Sequence, residues 1–332
     1  MSTLTETTTD IVPRLEAASA RVQRAHKAAG NVIFGQDVVI ERTLVTILSG
    51  GHALLIGVPG LAKTLLVETL GKVLGLDAKR IQFTPDLMPS DIIGSEVLED
   101  NPGQRRSFRF IQGPIFTQLL MADEINRASP KTQSALLQAM QEHHVTVAGQ
   151  RYDTPTPFHV LATQNPLEQE GTYPLPEAQL DRFLLQIDVN YPDLAAERRM
   201  LFSTTGTETR EVETVFNATE LMATQRLVRQ IPVPDKVVEA ILKLVRSARP
   251  GTGAHVETDR FVAWGPGPRA SQALMLAVRA KALIDGRLAP SVDDVIALAD
   301  PVLRHRMALT FAARAEGQDL GQIIKRLAEQ VE

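Results

Sequence analysis

The chain has 332 residues, of which 44% are hydrophobic and 22% charged, with no cysteine and a formal net charge of −4. A chain of this length can bury enough surface to fold without a disulfide or metal, and it predicts about two domains. The missing cysteines exclude a disulfide scaffold, a cysteine nucleophile, a thiolate zinc site and an iron–sulfur cluster. The negative charge provides no bulk attraction to nucleic acid or to an anionic membrane.

The amino-terminal segment, residues 1–13, is rich in threonine and has neither a basic nor an apolar stretch. It therefore does not resemble a signal or transit peptide, and we predict a flexible tail. No apolar run approaches the roughly 18 residues that span a bilayer, so we expect no insertion into a membrane. These features favour a cytoplasmic location.

Apolar segments alternate with amphipathic segments over residues 30–190. The patterns predict a surface helix over residues 14–29 and a second helix ended by Gly50 and Gly51. Ser129 before Pro130 is typical of a further helix start. Buried strands are predicted at residues 52–56, 80–84, 116–122 and 158–163, with another strand after Arg182. This alternation predicts an α/β domain over residues 14–190, with a parallel five-stranded sheet covered by helices on both faces.

Helical patterns dominate beyond residue 190. Asn217 with Glu220 and Ser291 with Asp294 are typical of capping boxes at helix starts. We therefore predict an all-helical second domain over residues 191–332.

Two insertions are predicted within the α/β domain. Residues 96–98 and 107–111 are predicted to pair across a turn at residues 101–103, and residues 145–147 to pair with residues 151–153. The first insertion includes Arg105, Arg106 and Arg109, which fit either a solvated hairpin face or a contact surface.

A glycine-rich turn, GVPGLAKT from Gly57 to Thr64, lies between the first buried strand and a helix. Backbone N–H groups at a helix start, a lysine and a hydroxyl are the groups that bind nucleotide phosphates and Mg²⁺. Lys63 and Thr64 occupy the lysine and hydroxyl positions, whereas Ala62 replaces the usual second glycine. The flanking strand and helix favour a P-loop over a plain turn, and they predict contacts to ATP from Gly57, Pro59, Gly60, Leu61, Ala62, Lys63, Thr64 and Leu65.

Polar residues follow two other predicted strands. Asp123 is predicted to hold Mg²⁺ together with Thr64, and Glu124 to act as the base that polarises the attacking water. The amide of Asn165 is predicted to lie between that water and the γ-phosphate. Three arginines, Arg127, Arg182 and Arg269, are candidates to stabilise the charge that develops on the γ-phosphate.

The order of these motifs resembles the AAA+ ATPases, and three segments resemble the MoxR subfamily: GVPGLAKT at residues 57–64, ADEINRA at 122–128 and ATQNP at 162–166. Alanine at position 62 is usual in that subfamily. The resemblance implies that residues 14–190 form the nucleotide-binding core and residues 191–332 the lid domain. It also implies that Asp123 and Glu124 are the Walker B pair and Asn165 is sensor 1.

The resemblance further implies that Arg269 is sensor 2 and that Arg182 reaches a neighbouring subunit as an arginine finger, with Arg127 as a second candidate. Ile33 and Gln36, beside Gly35, resemble the segment that contacts adenine. The two predicted hairpins are expected to face the pore or the client.

By this resemblance the protein is expected to form a ring, as a hexamer, and to use ATP hydrolysis to remodel or mature a partner protein or complex. A protein with a von Willebrand factor A domain is the expected partner. A metal-chelatase motor subunit and, less favoured because of the net charge, a nucleic-acid motor are the alternatives. A nucleotide-sensing switch is disfavoured, because a protein that only binds nucleotide needs no base such as Glu124.

Overall fold

The computed structural model describes residues 11–99, 107–168, 170–205 and 211–331. Most of the predicted tail, the turn at residues 101–103, and Arg105 and Arg106 lie outside these residues. Helix α1 (Ile11–Gly30) begins within the segment that we assigned to the tail. It begins early because Ile11 packs against the hydrophobic core, one turn before the buried Leu15.

The first part of the chain alternates helices and strands as predicted. After α1 the elements are α2 (Asp37–Leu48), β1 (Ala53–Ile56), α3 (Lys63–Leu74), β2 (Ala78–Gln82), α4 (Pro89–Ile93), β3 (Gly94–Glu99), β4 (Ser107–Gln112), β5 (Leu119–Asp123), α5 (Pro130–Glu142), β6 (His144–Val147), β7 (Gln150–Asp153), β8 (His159–Gln164), α6 (Glu177–Leu180) and β9 (Leu185–Asp188). A 3-10 turn, Ile125–Arg127, follows β5.

Five strands form one parallel sheet in the order β2-β5-β8-β1-β9. We call the side where these strands begin the amino edge and the side where they end the carboxyl edge. The two predicted hairpins are confirmed as the antiparallel pairs β3–β4 and β6–β7. They lie outside the five-stranded sheet, so they extend the domain without interrupting its strand order.

The second part of the chain is helical, apart from one short strand pair that the all-helical prediction lacked. Its elements are α7 (Leu194–Thr205), α8 (Ala218–Gln230), α9 (Asp235–Ser247), α10 (Val256–Phe261), β10 (Val262–Trp264), α11 (Pro268–Ile284), α12 (Val292–Leu303), β11 (Ala308–Leu309), α13 (Phe311–Ala315) and α14 (Leu320–Glu329). Strands β10 and β11 are antiparallel and have three and two residues, too few to show a period-2 pattern. The capping boxes at Asn217 and Ser291 are confirmed.

One hydrophobic core joins the lid helices to the sheet. Residues of α11 and α12 pack with those of α1, α2 and β9 in a single cluster, while a second cluster fills the other face of the sheet beneath α4 and α5. Within the described ranges, none of the helices combines the length and apolar character that a membrane crossing requires.

A buried arginine fixes the lid against the amino edge. Arg306, in the 3-10 turn Arg304–Arg306 after α12, donates from Nε to the carboxylate of Asp181 at 2.7 Å. Its two terminal nitrogens donate to the carbonyls of Asp181, Phe183, Leu184 and Val302 at 2.6–3.3 Å. All five guanidinium N–H groups are therefore satisfied although the residue is only 2% exposed.

Two neutral histidines occupy the amino edge of the sheet. Burial lowers the pKa of His52 to about 3 and that of His159 to about 4, from an ordinary value of 6.5. His159 donates from Nδ1 to the carbonyl of Gly51 and accepts at Nε2 from Gln225 of α8. His52 accepts at Nδ1 from the Val160 N–H and donates from Nε2 to the carbonyl of Met140. These bonds use both nitrogens of each ring and link α8 to the start of β8.

We expect Arg306→Lys to lower the free energy of unfolding by about 3 kcal/mol, because an ammonium cannot replace the planar fork and leaves buried acceptors unpaired. Urea denaturation measures this change. Arg326→Lys is the matched control, because Arg326 makes one partly exposed ion pair with Glu257 and should change stability by less than about 1 kcal/mol. Equal effects of the two substitutions would contradict the assignment.

The free energy of unfolding should fall as the pH drops from about 6.5 towards 4. Over this range His52 and His159 bind protons in the unfolded chain but stay neutral in the folded one. In His159→Asn, whose amide can still donate to Gly51, the loss of stability between pH 7 and pH 5 should be smaller by about 2 kcal/mol. Urea denaturation at the two pH values tests this, with exposed His143→Asn as the control. A loss as large as in the wild type would refute the expectation.

Candidate active site

Three polar motifs meet at the carboxyl edge of the sheet. Lys63 begins α3 after the turn that follows β1, Asp123 ends β5 with Glu124 directly after it, and Asn165 follows β8. Since β8 lies between β5 and β1, Asn165 lies between the carboxylate pair and the glycine-rich turn. The Gly57 N–H donates to the carbonyl of Gln164 at 3.2 Å, which joins the turn directly to the end of β8.

Close packing explains the first glycine of the turn. A Cβ added to Gly57 would lie 2.7 Å from the carbonyl oxygen of Val189, which continues from β9. Gly60 has a φ of +85° and no atom near its missing side chain, so its conformation and not its surroundings requires glycine. Together they allow the chain to turn sharply from β1 into α3.

Ala62 has a left-handed backbone, with φ at +56°. A glycine reaches this conformation without strain, whereas an alanine costs roughly 1 kcal/mol. The next residue, Lys63, begins α3, and its ammonium donates to the carbonyls of Gly57 and Val58. Burial lowers the pKa of Lys63, while Asp123, Glu124 and Glu168 raise it, so its charge lies within an acidic site.

Asp123 is buried and held by two neighbours. Arg80 of β2 donates to Oδ2 from Nε at 3.1 Å and from a terminal nitrogen at 2.6 Å, and Thr163 of β8 donates to Oδ1 at 2.5 Å. The two strands that flank β5 therefore fix the orientation of this carboxylate. Arg80 also donates to the amide oxygen of Gln82 at 2.6 Å, so the two β2 side chains are linked.

Glu124 has a left-handed backbone with φ at +54°, stabilised by an N–H bond of 2.9 Å to the Thr163 hydroxyl. Its Oε2 accepts from the Gln82 amide at 2.7 Å and from Arg127 at 3.0 Å. Hydrogen bonding to Glu124 raises the pKa of Arg127. Arg127 is thus an intrachain partner of the predicted base.

The donor set suits ATP with Mg²⁺. Mg²⁺ prefers oxygen ligands, such as a carboxylate and a hydroxyl completed by substrate phosphates, and Asp123 and Thr64 have side chains of these two kinds. The start of α3 provides free N–H groups for phosphate. Among the described residues, no group of three or more His, Cys, Asp or Glu could form a separate metal centre.

The segment predicted to contact adenine lies beside α7. Ile33 is 3% exposed and belongs to the core, and the amide of Gln36 donates to the carbonyl of Asn190 at 2.8 Å. A Cβ on Gly35 would lie 2.5 Å from the Cβ of Ala196. Ile33 and Gln36 therefore contact other parts of the protein, and Gln36 bonds to the residue after Val189, which packs against Gly57. Pro59 and Leu65 are exposed and Leu61 packs partly against the core.

Arg182 and Arg269 lie together at the amino edge, not at the carboxyl edge. Both line a cavity of about 310 Å³ with Asp181, whose carboxylate is 3.6 Å from Arg269. Burial lowers the pKa of Arg182, and repulsion by Arg269 lowers it further. The chain from Gly51 to Gly57 spans roughly 20 Å when extended, so these arginines are remote from the P-loop of their own chain.

Three residues that the sequence did not single out contact the candidate catalytic carboxylates: Arg80, Gln82 and Thr163. A fourth, Glu168, raises the pKa of Lys63 through its charge. Arg80 and Gln82 are two positions apart in β2 and so share one face, which was a recoverable signal. Thr163 was a polar residue within a predicted buried strand. Whether Arg80, Gln82 and Thr163 contact Asp123 or Glu124 depends on the order of the strands, which cannot be read from the sequence.

Comparison with known proteins agrees with this geometry. Residues 52–185 match the model of the ATPase family associated with various cellular activities, and residues 257–327 match the AAA lid domain. The chain is 42% identical over 318 residues to Chaperone MoxR1 of Mycobacterium tuberculosis, covering 96% of this chain and 83% of the relative.

Two further relatives support the same assignment. Protein MoxR of Methylorubrum extorquens is 31% identical over 309 residues, covering 88% of each chain. The crystal structure of a candidate ATPase from Cytophaga hutchinsonii superposes with a TM-score of 0.88 at 36% identity, covering 96% of this chain and 97% of that one. Whole-chain similarity in sequence and fold, together with the residues at the carboxyl edge, shows that the chain belongs to the MoxR family of AAA ATPases.

Proposed function

We propose that the protein hydrolyses ATP to ADP and phosphate and uses the energy to remodel or mature a partner protein. The convergence of Lys63, the Asp123–Glu124 pair and Asn165 at three adjacent strand ends is the observation that supports hydrolysis. The name of the relative Chaperone MoxR1 supports a client protein as the target.

Each residue at the carboxyl edge has a distinct proposed role. Lys63 and the N–H groups at the start of α3 bind the phosphates, and Thr64 and Asp123 would hold Mg²⁺, which would supply positive charge to stabilise the phosphates. Glu124 accepts a proton from the attacking water, and Asn165 orients that water. Both hydrogen bonds from Gln82 and Arg127 go to Oε2 of Glu124, so its Oε1 is the atom proposed to receive the proton.

Glu124→Gln should lower kcat for ATP by a factor of about 100 to 10,000, because an amide cannot accept the proton. ATP binding should persist, because the phosphate ligands are unchanged. Phosphate release measured across protein concentrations tests turnover, and a fluorescent ATP analogue tests binding. Exposed Glu68→Gln on α3 is the control, and turnover in Glu124→Gln equal to that of the control would exclude Glu124 as the base.

We also propose that a second copy of the chain completes the site. Arg182 and Arg269 line a cavity at the amino edge, away from the P-loop of their own chain, so the nucleotide that they would serve is that of a neighbour that presents its carboxyl edge. Such a contact joins two different surfaces, which is the kind of interface that builds a ring when the rotation between copies closes, and the family resemblance implies a ring of six copies. Arg182 is the preferred finger, because Arg127 already pairs with Glu124.

Mixing two inactive variants should restore ATPase activity if the arginines act between subunits. In a mixture of Arg269→Ala and Glu124→Gln, some interfaces combine an intact Glu124 with an intact Arg269 from the neighbour. We expect each variant alone to lose at least about 100-fold in turnover and the mixture to recover a clear fraction of wild-type turnover. Phosphate release at a fixed total concentration measures it.

The control for this experiment is a mixture of Glu124→Gln with Lys63→Ala. Each chain in this mixture has lost either Glu124 or Lys63, and both residues lie at the carboxyl edge. No interface therefore contains a complete carboxyl-edge site, and no recovery of turnover is expected. The absence of recovery in the Arg269→Ala mixture, with assembly verified by sedimentation, would overturn the proposal that Arg269 acts between subunits.

The β3–β4 hairpin supports a client contact. Phe108 and Ile111 are 70% and 53% exposed, and Phe110 stacks on Tyr152 of the β6–β7 hairpin at 4.1 Å between ring centroids. The two hairpins therefore form one surface with exposed apolar side chains, as expected for contact with a protein client. We propose in addition a von Willebrand factor A domain partner and, given the cysteine-free composition, a cytoplasmic location.

A further inference from the structure

A second cavity at the amino edge lies apart from the catalytic residues. It has a volume of about 550 Å³ and is formed by α8, the β6–β7 hairpin and residues 154–158. Arg226 and Arg229 from α8 and Arg151 from β7 are its cationic residues, while Phe158 and Met222 are among its apolar ones. A concave site with apolar walls and a few charged groups is the usual form of a small-molecule site.

The charge of this cavity is not balanced by acidic groups. Arg226 and Arg229 are exposed, one helical turn apart, and neither forms an ion pair with any carboxylate in the described part of the chain. Arg151 pairs with Asp153 at 2.8 Å, which is the acidic residue of the cavity lining. Two arginines are thus left without a counter-charge in a chain whose net charge is −4.

A third cation adds to this imbalance. Arg279 of α11 is close enough to Arg229 for repulsion to lower its pKa, after burial, which is the larger cause. Its Nε is buried and has no hydrogen-bond partner among the described residues. An anion near Arg229 would relieve the repulsion, and the planar guanidinium groups suit phosphate oxygens.

We propose that this cavity binds an organic molecule with a di- or triphosphate group, at a site separate from the P-loop. The phosphates pair with Arg226 and Arg229, and the organic part lies against Phe158 and Met222. The volume favours an organic phosphate over an inorganic ion, because pyrophosphate alone would leave the apolar part of the cavity unfilled.

Hydrogen bonds of Gln225 connect this cavity to the five-stranded sheet. Gln225, which lines the cavity, donates to the carbonyl of Ile47 at 2.8 Å and to His159 at 3.1 Å. His159 begins β8, the strand that is followed by Asn165. A ligand that fixes α8 therefore also fixes the start of a strand that ends at the nucleotide, so the site is placed to regulate turnover.

Binding of inorganic pyrophosphate by isothermal titration calorimetry tests the phosphate subsite directly. The titrations use the full chain in magnesium-free buffer, as wild type and as Lys63→Ala, which removes the P-loop lysine. We expect binding to persist in Lys63→Ala. It should weaken about 100-fold when Arg226→Ser and Arg229→Ser are added to Lys63→Ala, because two charge-assisted contacts are lost in a chain whose P-loop lysine is already absent. The control adds Lys236→Ser and Arg246→Ser on α9 to Lys63→Ala, which removes the same charge from exposed positions and should leave binding as it is in Lys63→Ala.

Two more variants and a spectroscopic signal locate the bound anion. Arg182→Ala with Arg269→Ala, added to Lys63→Ala, tests the neighbouring cavity, which shares Gly50 and His143 with this one, and pyrophosphate binding should persist in this variant. The ¹³C-methyl resonance of Met222, assigned with Met222→Leu, should shift on addition of ADP to Lys63→Ala.

The proposal is overturned if wild type binds no pyrophosphate at millimolar concentration, if binding disappears in Lys63→Ala or in the Arg182 and Arg269 variant, or if the α9 control weakens it equally. It is also overturned if the Met222 resonance does not respond to ADP. None of these outcomes depends on ATP hydrolysis, so they leave the proposed ATPase function to its own tests.

Discussion

Arg306 lies where the lid meets the amino edge of the sheet, and its hydrogen bonds fix the end of α12 to the residues that lead into β9. Its guanidinium makes hydrogen bonds to Asp181, Phe183 and Leu184, the residues that lead into β9. All five N–H groups of this buried guanidinium have partners. A shift of the lid along the amino edge would leave some of these polar groups unpaired away from water, which costs free energy. The neighbouring His305 adds a hydrogen bond to the same Phe183 carbonyl at 3.0 Å.

This junction determines where Arg269 lies. Asp181 accepts from Arg306 and also lies 3.6 Å from Arg269, so the carboxylate that anchors the lid also orients the first turn of α11. Arg269 is thereby held beside Arg182 at the amino edge, whereas Lys63 lies at the carboxyl edge. The protein thus has the Asp123–Glu124 carboxylates at one edge of the sheet and two arginines at the other, an arrangement of charge that suits the proposed head-to-tail contact between copies.

Local sequence patterns were sufficient to predict the sheet strands, both hairpins and the positions of Lys63, Asp123 and Asn165. Each depends on short-range rules: apolar runs, turn residues and a glycine-rich loop between a strand and a helix. The early start of α1 was missed because Ile11 is stabilised by tertiary packing and not by a local start signal. The β10–β11 pair was missed because it joins residues about 45 positions apart in strands too short to have a pattern.

Side-chain partners across strands were harder to predict than the strands themselves. Arg80 and Gln82 hold Asp123 and Glu124 only because β2 lies next to β5 in register, with Gln82 opposite Asp123. Likewise, the sequence places Arg269 at a helix start but contains no sign that the lid docks at the amino edge. Both facts depend on long-range order, which single residues and their spacing do not specify.

Backbone strain at the carboxyl edge follows from the same long-range order. Ala62 and Glu124 both have positive φ values, a conformation that costs a non-glycine residue about 1–2 kcal/mol. For Glu124 the hydrogen bond from its N–H to Thr163 offsets this cost, and the same hydroxyl donates to Asp123. One buried threonine in β8 therefore bonds both to Asp123 at the end of β5 and to Glu124 directly after it. The relative position of the proposed metal ligand and the proposed base is thus determined by the sheet and not by the flexibility of two side chains.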